Sequence, residues 1–235
     1  MGARELFQAG RLDEAIESLG IDLRNDPTDV QRRAFLFELL SFAGNHDRAE
    51  KQLDVLGAAN AQAGLGALLY KAAMQAERLR TDMFANDGLP TGPAPVTVAG
   101  TLNGQAFTTL EDADPRIGAR LEVFAGGQYL WLPLEHVATI RMERPARLRD
   151  LLWSPAKLLT GPGFRGVELG EVLLPVLTPL AATHPDPLVR LGRMTVWEEL
   201  ADGRPAPAGQ KLLLVDGEEV PLLELRELVI TPAAA

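Results

Sequence analysis

The residues of this chain that could do chemistry are few and scattered. Its three histidines, His46, His136 and His184, stand singly, with no second histidine at a metal-binding spacing. A metal centre would therefore have to be assembled from distant carboxylates. Cysteine is absent, which removes thiolate nucleophiles, disulfides and every thiolate zinc site together. Ser18 and Ser41 fall in helical stretches, Ser154 reads as a helix N-cap, and no Gly-x-Ser-x-Gly element occurs. The carboxylate pairs Glu198-Glu199 and Glu218-Glu219 lie in strand-like contexts, where neighbours point to opposite faces and cannot share a proton. Gly161-Pro-Gly163-Phe-Arg-Gly166 matches the dinucleotide fingerprint in letters only. A helix is expected before it and a strand after it, the reverse of the required order, and Pro162 lacks the N–H that would face a phosphate. No catalytic residue, cofactor or metal is expected.

Composition narrows the alternatives. The 235 residues are 46% hydrophobic and 23% charged, enough for a packed core. A net charge of −9 argues against nucleic acid as a partner. Arg141, Arg144, Arg147 and Arg149 make the one basic cluster, interrupted by Glu143 and flanked by Asp150, and it lacks the aromatics of a base-stacking surface. Without a spanning apolar segment or a leader-like start, the chain reads as cytoplasmic.

The elements that must position these side chains divide at the prolines. Of 17 prolines only Pro27 precedes residue 88. Proline is excluded from helix interiors, so 1–88 reads as helical, 89–95 as a stiff linker, and 96–235 as β-rich. Within the first part, Ala9-Gly10-Arg11-Leu12-Asp13-Glu14-Ala15 recurs as Ala43-Gly44-Asn45-His46-Asp47-Arg48-Ala49, an offset of 34 residues. That is the period of the tetratricopeptide repeat, and about two and a half units fit, with helices near 12–24, 28–43, 46–57 and 62–84. Beyond residue 96 the period changes to two. Hairpins are expected around Asn103-Gly104, Gly126-Gly127 and Asp216-Gly217, with strands near 136–142 and 171–178 and a short helix over 147–159. The fold class is α+β: a tetratricopeptide-like helical domain followed by an antiparallel, barrel-like domain carrying a short helix.

Several segments of the second part also resemble a known family. Arg149-Asp-Leu-Leu-Trp-Ser-Pro-Ala156, Gly170-Glu-Val-Leu-Leu-Pro175, Leu188-Val-Arg-Leu-Gly-Arg-Met-Thr-Val-Trp-Glu198 and Leu223-Glu-Leu-Arg-Glu-Leu228 resemble, in this order, the ImpE/TagJ (SciE-type) family of type VI secretion accessory proteins. Gly10 to Ala15 matches the family's N-terminal helical element, and Val196 departs from its pattern, which has aspartate before the tryptophan. The resemblance implies a non-enzymatic adaptor linked to a contractile sheath and to the AAA+ ATPase (ClpV type) that disassembles it. It implies contact with a helix of the small sheath subunit (TssB type). The repeat register then places Gln8, Gln31, Glu38, Phe42, Leu68 and Gln75 towards the concave face of the helices, with Phe42 and Leu68 as apolar anchors and Glu38 turning acidic peptides away. The alternative is a generic repeat scaffold whose β-rich domain docks the partner around Arg190, Arg193 and Trp197.

Overall fold

The computed structural model describes residues 1–86, 88–89, 96–166 and 168–231. Most of the expected linker, residues 90–95, lies outside the described residues. Five helices come first: α1 (Ala3–Gln8), α2 (Leu12–Asn25), α3 (Val30–Phe42), α4 (His46–Gly57) and α5 (Ala61–Ala85). Local chemistry sets their ends. The side chains of Asp29 and Asn60 accept the N–H groups of Arg32 and Ala63, each at 2.9 Å, and so cap α3 and α5. Gly10 and Gly44 stop α1 and α3 at φ +77° and +66°, where a Cβ is disfavoured. The two turns share one geometry: the N–H of Arg11 donates to Leu6 O at 2.9 Å, and that of Asn45 donates to Leu40 O at 2.8 Å. The equivalent side chains Ala15 and Ala49 are both fully buried, so small residues sit where neighbouring helices approach.

The remainder is antiparallel sheet. An eight-stranded sheet runs in the order β2 (Gln105–Phe107), β1 (Gly100–Leu102), β13 (Glu227–Ile230), β6 (Val137–Met142), β7 (Trp153–Thr160), β8 (Gly170–Pro175), β4 (Arg120–Ala125), β5 (Gln128–Pro133). A three-stranded sheet joins β12 (Glu218–Pro221), β11 (Leu212–Val215) and β3 (Leu110–Asp112), and β9 (Val196–Glu199) pairs with β10 (Pro205–Ala208). The three expected hairpins are present, with Asn103 and Asp216 at φ +51° ahead of their glycines. In the first hairpin Gly100 lies opposite Phe107. What demands the glycine is the neighbouring backbone: a Cβ there would stand 2.0 Å from Val229 O on β13.

Two expectations are corrected. The large sheet has free edges at β2 and β5, so it is not a closed barrel. The helix expected over 147–159 is a single 3-10 turn (Leu148–Leu151) followed by β7, in which burial largely alternates from Ser154 to Leu159. Ser154 is thus a buried strand residue and not a cap. Pro155 is tolerated because β6 ends opposite Ala156, leaving that side of β7 without a partner to receive an N–H.

Sheet residues split between two cores. Leu121, Val123, Leu132, Ile140, Leu158 and Leu174 pack on one side with the three-stranded sheet. Phe124, Trp153 and Leu173 face the other way and join Leu12, Leu39, Phe42 and Met74 of the helices in one continuous cluster. The helical layer therefore covers a face of the sheet that a single alternating strand would leave to water.

Candidate partner-binding surfaces

The seam between α5 and the sheet holds a cluster of buried charges. Arg80 continues the buried face of α5 made by Ala73 and Ala76 and is 1% exposed. Its guanidinium donates to both carboxylate oxygens of Glu122 on β4, at 2.7 and 2.9 Å, to Leu177 O at 2.9 Å, and to Glu77 at 2.9 Å. Lys211 bonds Glu122 at 2.6 Å and also Asp112, while the Tyr129 hydroxyl donates to Glu122. Burial pushes the Glu122 carboxyl up, but Arg80 and Lys211 outweigh it and hold it down at about 2. Burial, the largest effect, and the Glu122 charge outweigh Lys211 and the Asp114 N–H at Asp112, so its carboxyl rises to about 6. Tyr129 is raised by burial and by Glu122, and it remains a neutral donor.

Further contacts carry the seam along the helices. Trp153 donates its indole N–H to Glu77 at 3.1 Å and stacks on Tyr70. Arg149 donates to the Tyr70 hydroxyl at 2.7 Å and to Glu38 at 3.2 Å. Desolvation raises the Glu38 carboxyl, opposed by Arg149. Near the other end, the segment 178–193 lies against the glycine turns. Leu188 abuts Gly10, Ala182 abuts Gly44, Arg190 pairs with Asp13 at 2.6 Å, and Arg193 donates to Gln8 O at 2.9 Å.

These contacts relocate the sequence-derived candidates. Phe42, expected as an exposed anchor, is 1% exposed in the shared core. Glu38 is half-buried and engaged by Arg149. Arg190 and Arg193, expected to meet a partner, tie the chain's own two parts together. Gln8, Gln31 and Glu38 do come together, along an open groove bounded by α1, α3 and the 148–151 turn. Leu68 and Gln75 are exposed on α5, apart from that groove, and Trp197 is exposed on β9. Leu68 belongs to a stripe with Leu65 and Leu69, the three being 63%, 70% and 50% exposed. Their spacing of three and four puts them on one helix face.

The sequence reading missed Arg80, Glu122 and Lys211. A signal existed for Arg80, which falls on the apolar stripe of α5; none existed for Glu122, whose alternation with Leu121 and Val123 looks like a solvent face. The histidines do not assemble. His46 is partly buried and lowered by that burial, His136 lies beside the Phe164 ring, and His184 bridges Glu198 at 3.1 Å and the Asp186 N–H at 3.0 Å. The 161–166 loop joins β7 to β8, so a strand and not a helix precedes it. Among the described residues no three His, Asp or Glu side chains are grouped to hold a metal ion.

Similarity to known proteins gives this geometry its context. The crystal structure of protein VPA1032 from Vibrio parahaemolyticus matches with a TM-score of 0.85 over 97% of each chain, at 22% identity, and so shares the fold. The type VI secretion system accessory component TagJ of Pseudomonas aeruginosa is 35% identical, in an alignment covering 100% of this chain and 93% of TagJ. Residues 104–229 match the ImpE protein family, a span that includes all four motifs quoted from the second part of the sequence and that holds Glu122, Trp153 and Lys211. The chain belongs to the ImpE family.

Proposed function

We propose that this protein is a non-enzymatic, cytoplasmic accessory protein of a type VI secretion system. In this reading it is an adaptor whose tetratricopeptide-like helical layer holds a helix of the small sheath subunit (TssB type). By holding that helix it modulates sheath assembly or recycling by the AAA+ ATPase (ClpV type). The relationship to TagJ supports the system. The observation that carries the mode of action is the stripe of Leu65, Leu68 and Leu69, three adjacent leucines at least half exposed on one face of α5. A contiguous apolar patch of this kind marks an interaction site, and an amphipathic helix is the occupant whose own apolar face fits it. Titration of the small sheath subunit into the purified protein tests the proposal. Saturable binding that is lost in Leu65→Glu/Leu68→Glu is the expected result; no binding, or binding indifferent to that variant, removes it.

A second reading has one observation in its favour. Trp197 is 44% exposed on β9, in a two-stranded sheet apart from the helical layer, and tryptophan is a common interface anchor. If the β-rich part docks the partner, Trp197→Ala abolishes binding and the leucine variant leaves it intact. Deleting residues 1–88 does not separate the readings, because it would strip α5 from Phe124, Trp153 and Glu122.

A further inference from the structure

The groove bounded by α1, α3 and the 148–151 turn encloses about 540 Å³. Phe7 and Phe35 form its floor, edge to face with centroids 5.6 Å apart, and Leu148 adds an apolar side. Each ring carries a guanidinium: Arg4 lies 5.3 Å from the centroid of Phe35, and Arg193 lies 4.5 Å from that of Phe7. Arg147 stands exposed on the wall. Among the described residues none of these three arginines pairs with a carboxylate, although acidic residues outnumber basic ones 32 to 23 in the chain. Glu38, the one carboxylate lining the groove, already has its charge compensated by Arg149 at 3.2 Å.

A strongly acidic protein thus presents a local patch of uncompensated positive charge around an aromatic floor. Charge of one sign gathered at an apolar cleft selects partners of the opposite sign and steers their approach. We infer that this groove docks an acidic amphipathic segment of the partner protein, its apolar side chain against Phe7, Phe35 and Leu148 and its carboxylates on Arg4 and Arg147 of the groove and on Arg193 beside it. The inference rests on the reading that the protein holds a helix of the sheath subunit, and it adds a second contact to the leucine stripe together with a charge preference. That preference is the opposite of the one expected from Glu38 in the sequence. With Glu38 bound to Arg149, the arginines decide which peptides are accepted.

The test is calorimetric titration of the small sheath subunit into the full chain at about 50 and about 300 mM NaCl, where screening weakens exposed charge pairs. The unaltered protein is expected to lose affinity as salt rises. Arg4→Glu/Arg147→Glu is expected to bind about tenfold more weakly or worse at low salt, with an unchanged melting temperature because both side chains are exposed. Replacing carboxylates of the partner helix by lysine should then restore binding to the double variant. Wild-type affinity in the double variant at both salt concentrations overturns the groove assignment while leaving the adaptor reading in place. Failure of the sheath subunit to bind the unaltered protein overturns the adaptor reading, and the groove assignment with it.

Discussion

The helical layer meets the rest of the chain at two places built from the same residue types to opposite effect. At the seam of α5 with the sheet, Arg80 is 2% exposed in its side chain and Glu122 is fully buried. At the contact between the 178–193 segment and the glycine turns, Arg190 is 14% exposed while its partner Asp13 is 70% exposed. Both are guanidinium–carboxylate pairs with short contacts. The first has no water to replace a lost partner; the second does. Identical chemistry therefore gives an all-or-none lock in one place and an adjustable contact in the other.

The largest expected effect breaks the deep pair. Glu122→Ala leaves Arg80 and Lys211 charged without their shared partner, and urea unfolding should report a loss of about 3–5 kcal/mol. Replacing Arg80, Asp112, Glu122 and Lys211 together by apolar residues of similar volume should cost far less, because none of these four charges is then left buried alone. If the single variant proves as mild as the quadruple one, the seam is wetter than its geometry implies.

A smaller effect concerns pH. Asp112 is held up at about 6, so its contribution to stability is present below the ordinary aspartate range and is lost as pH rises through 6. Glu122, held down at about 2, has the opposite sign: its contribution is present above the ordinary glutamate value of 4.5 and is lost as pH falls towards 2. Between about pH 5 and about pH 7 the wild-type protein should therefore lose stability relative to Asp112→Asn as pH rises. Urea midpoints of the two proteins, compared across that range, measure the difference. A constant difference would mean that Asp112 stays ionised throughout.

Next in size is the indole contact. Trp153→Phe keeps most of the ring in the core but removes the donor to Glu77, and should cost about 1–3 kcal/mol from the lost hydrogen bond and volume. The smallest effect belongs to the shallow contact. Arg190→Ala should lower stability by less than about 1 kcal/mol, and Asp13→Ala by less still, with both differences shrinking in about 0.5 M NaCl. Salt should leave the Glu122→Ala deficit unchanged, and this contrast is the direct check on the comparison.

How much was legible depended on whether the cause of a feature is local. Glycine at a positive φ, an aspartate cap and a two-residue turn are decided within a few residues of chain. Helices expected near 12–24, 28–43, 46–57 and 62–84 accordingly match α2 to α5 within two residues at each end. The misassigned 147–159 stretch shows where this stops: Leu151, Leu152 and Trp153 form an apolar run compatible with a buried helix or a buried strand, and the pairing of β7 with β6 and β8 chose strand. Glu122 shows the same boundary on the side of the candidate surfaces. Its period-two pattern is that of a solvated residue, and only the arrival of α5 makes it the centre of a buried cluster.

The sequence by itself determined the helical and β-rich parts, the turns that shape them, and motifs that identify the ImpE family. Each of these is carried by backbone preference or by residue identity along the chain. The tertiary structure decided which charges are free. Arg149, Arg190 and Glu38 are occupied within the molecule, whereas Arg4 and Arg147 line an aromatic groove and, among the described residues, pair with no carboxylate. Whether a charge is available depends on which distant segment folds against it, and no periodicity or spacing along the chain encodes that.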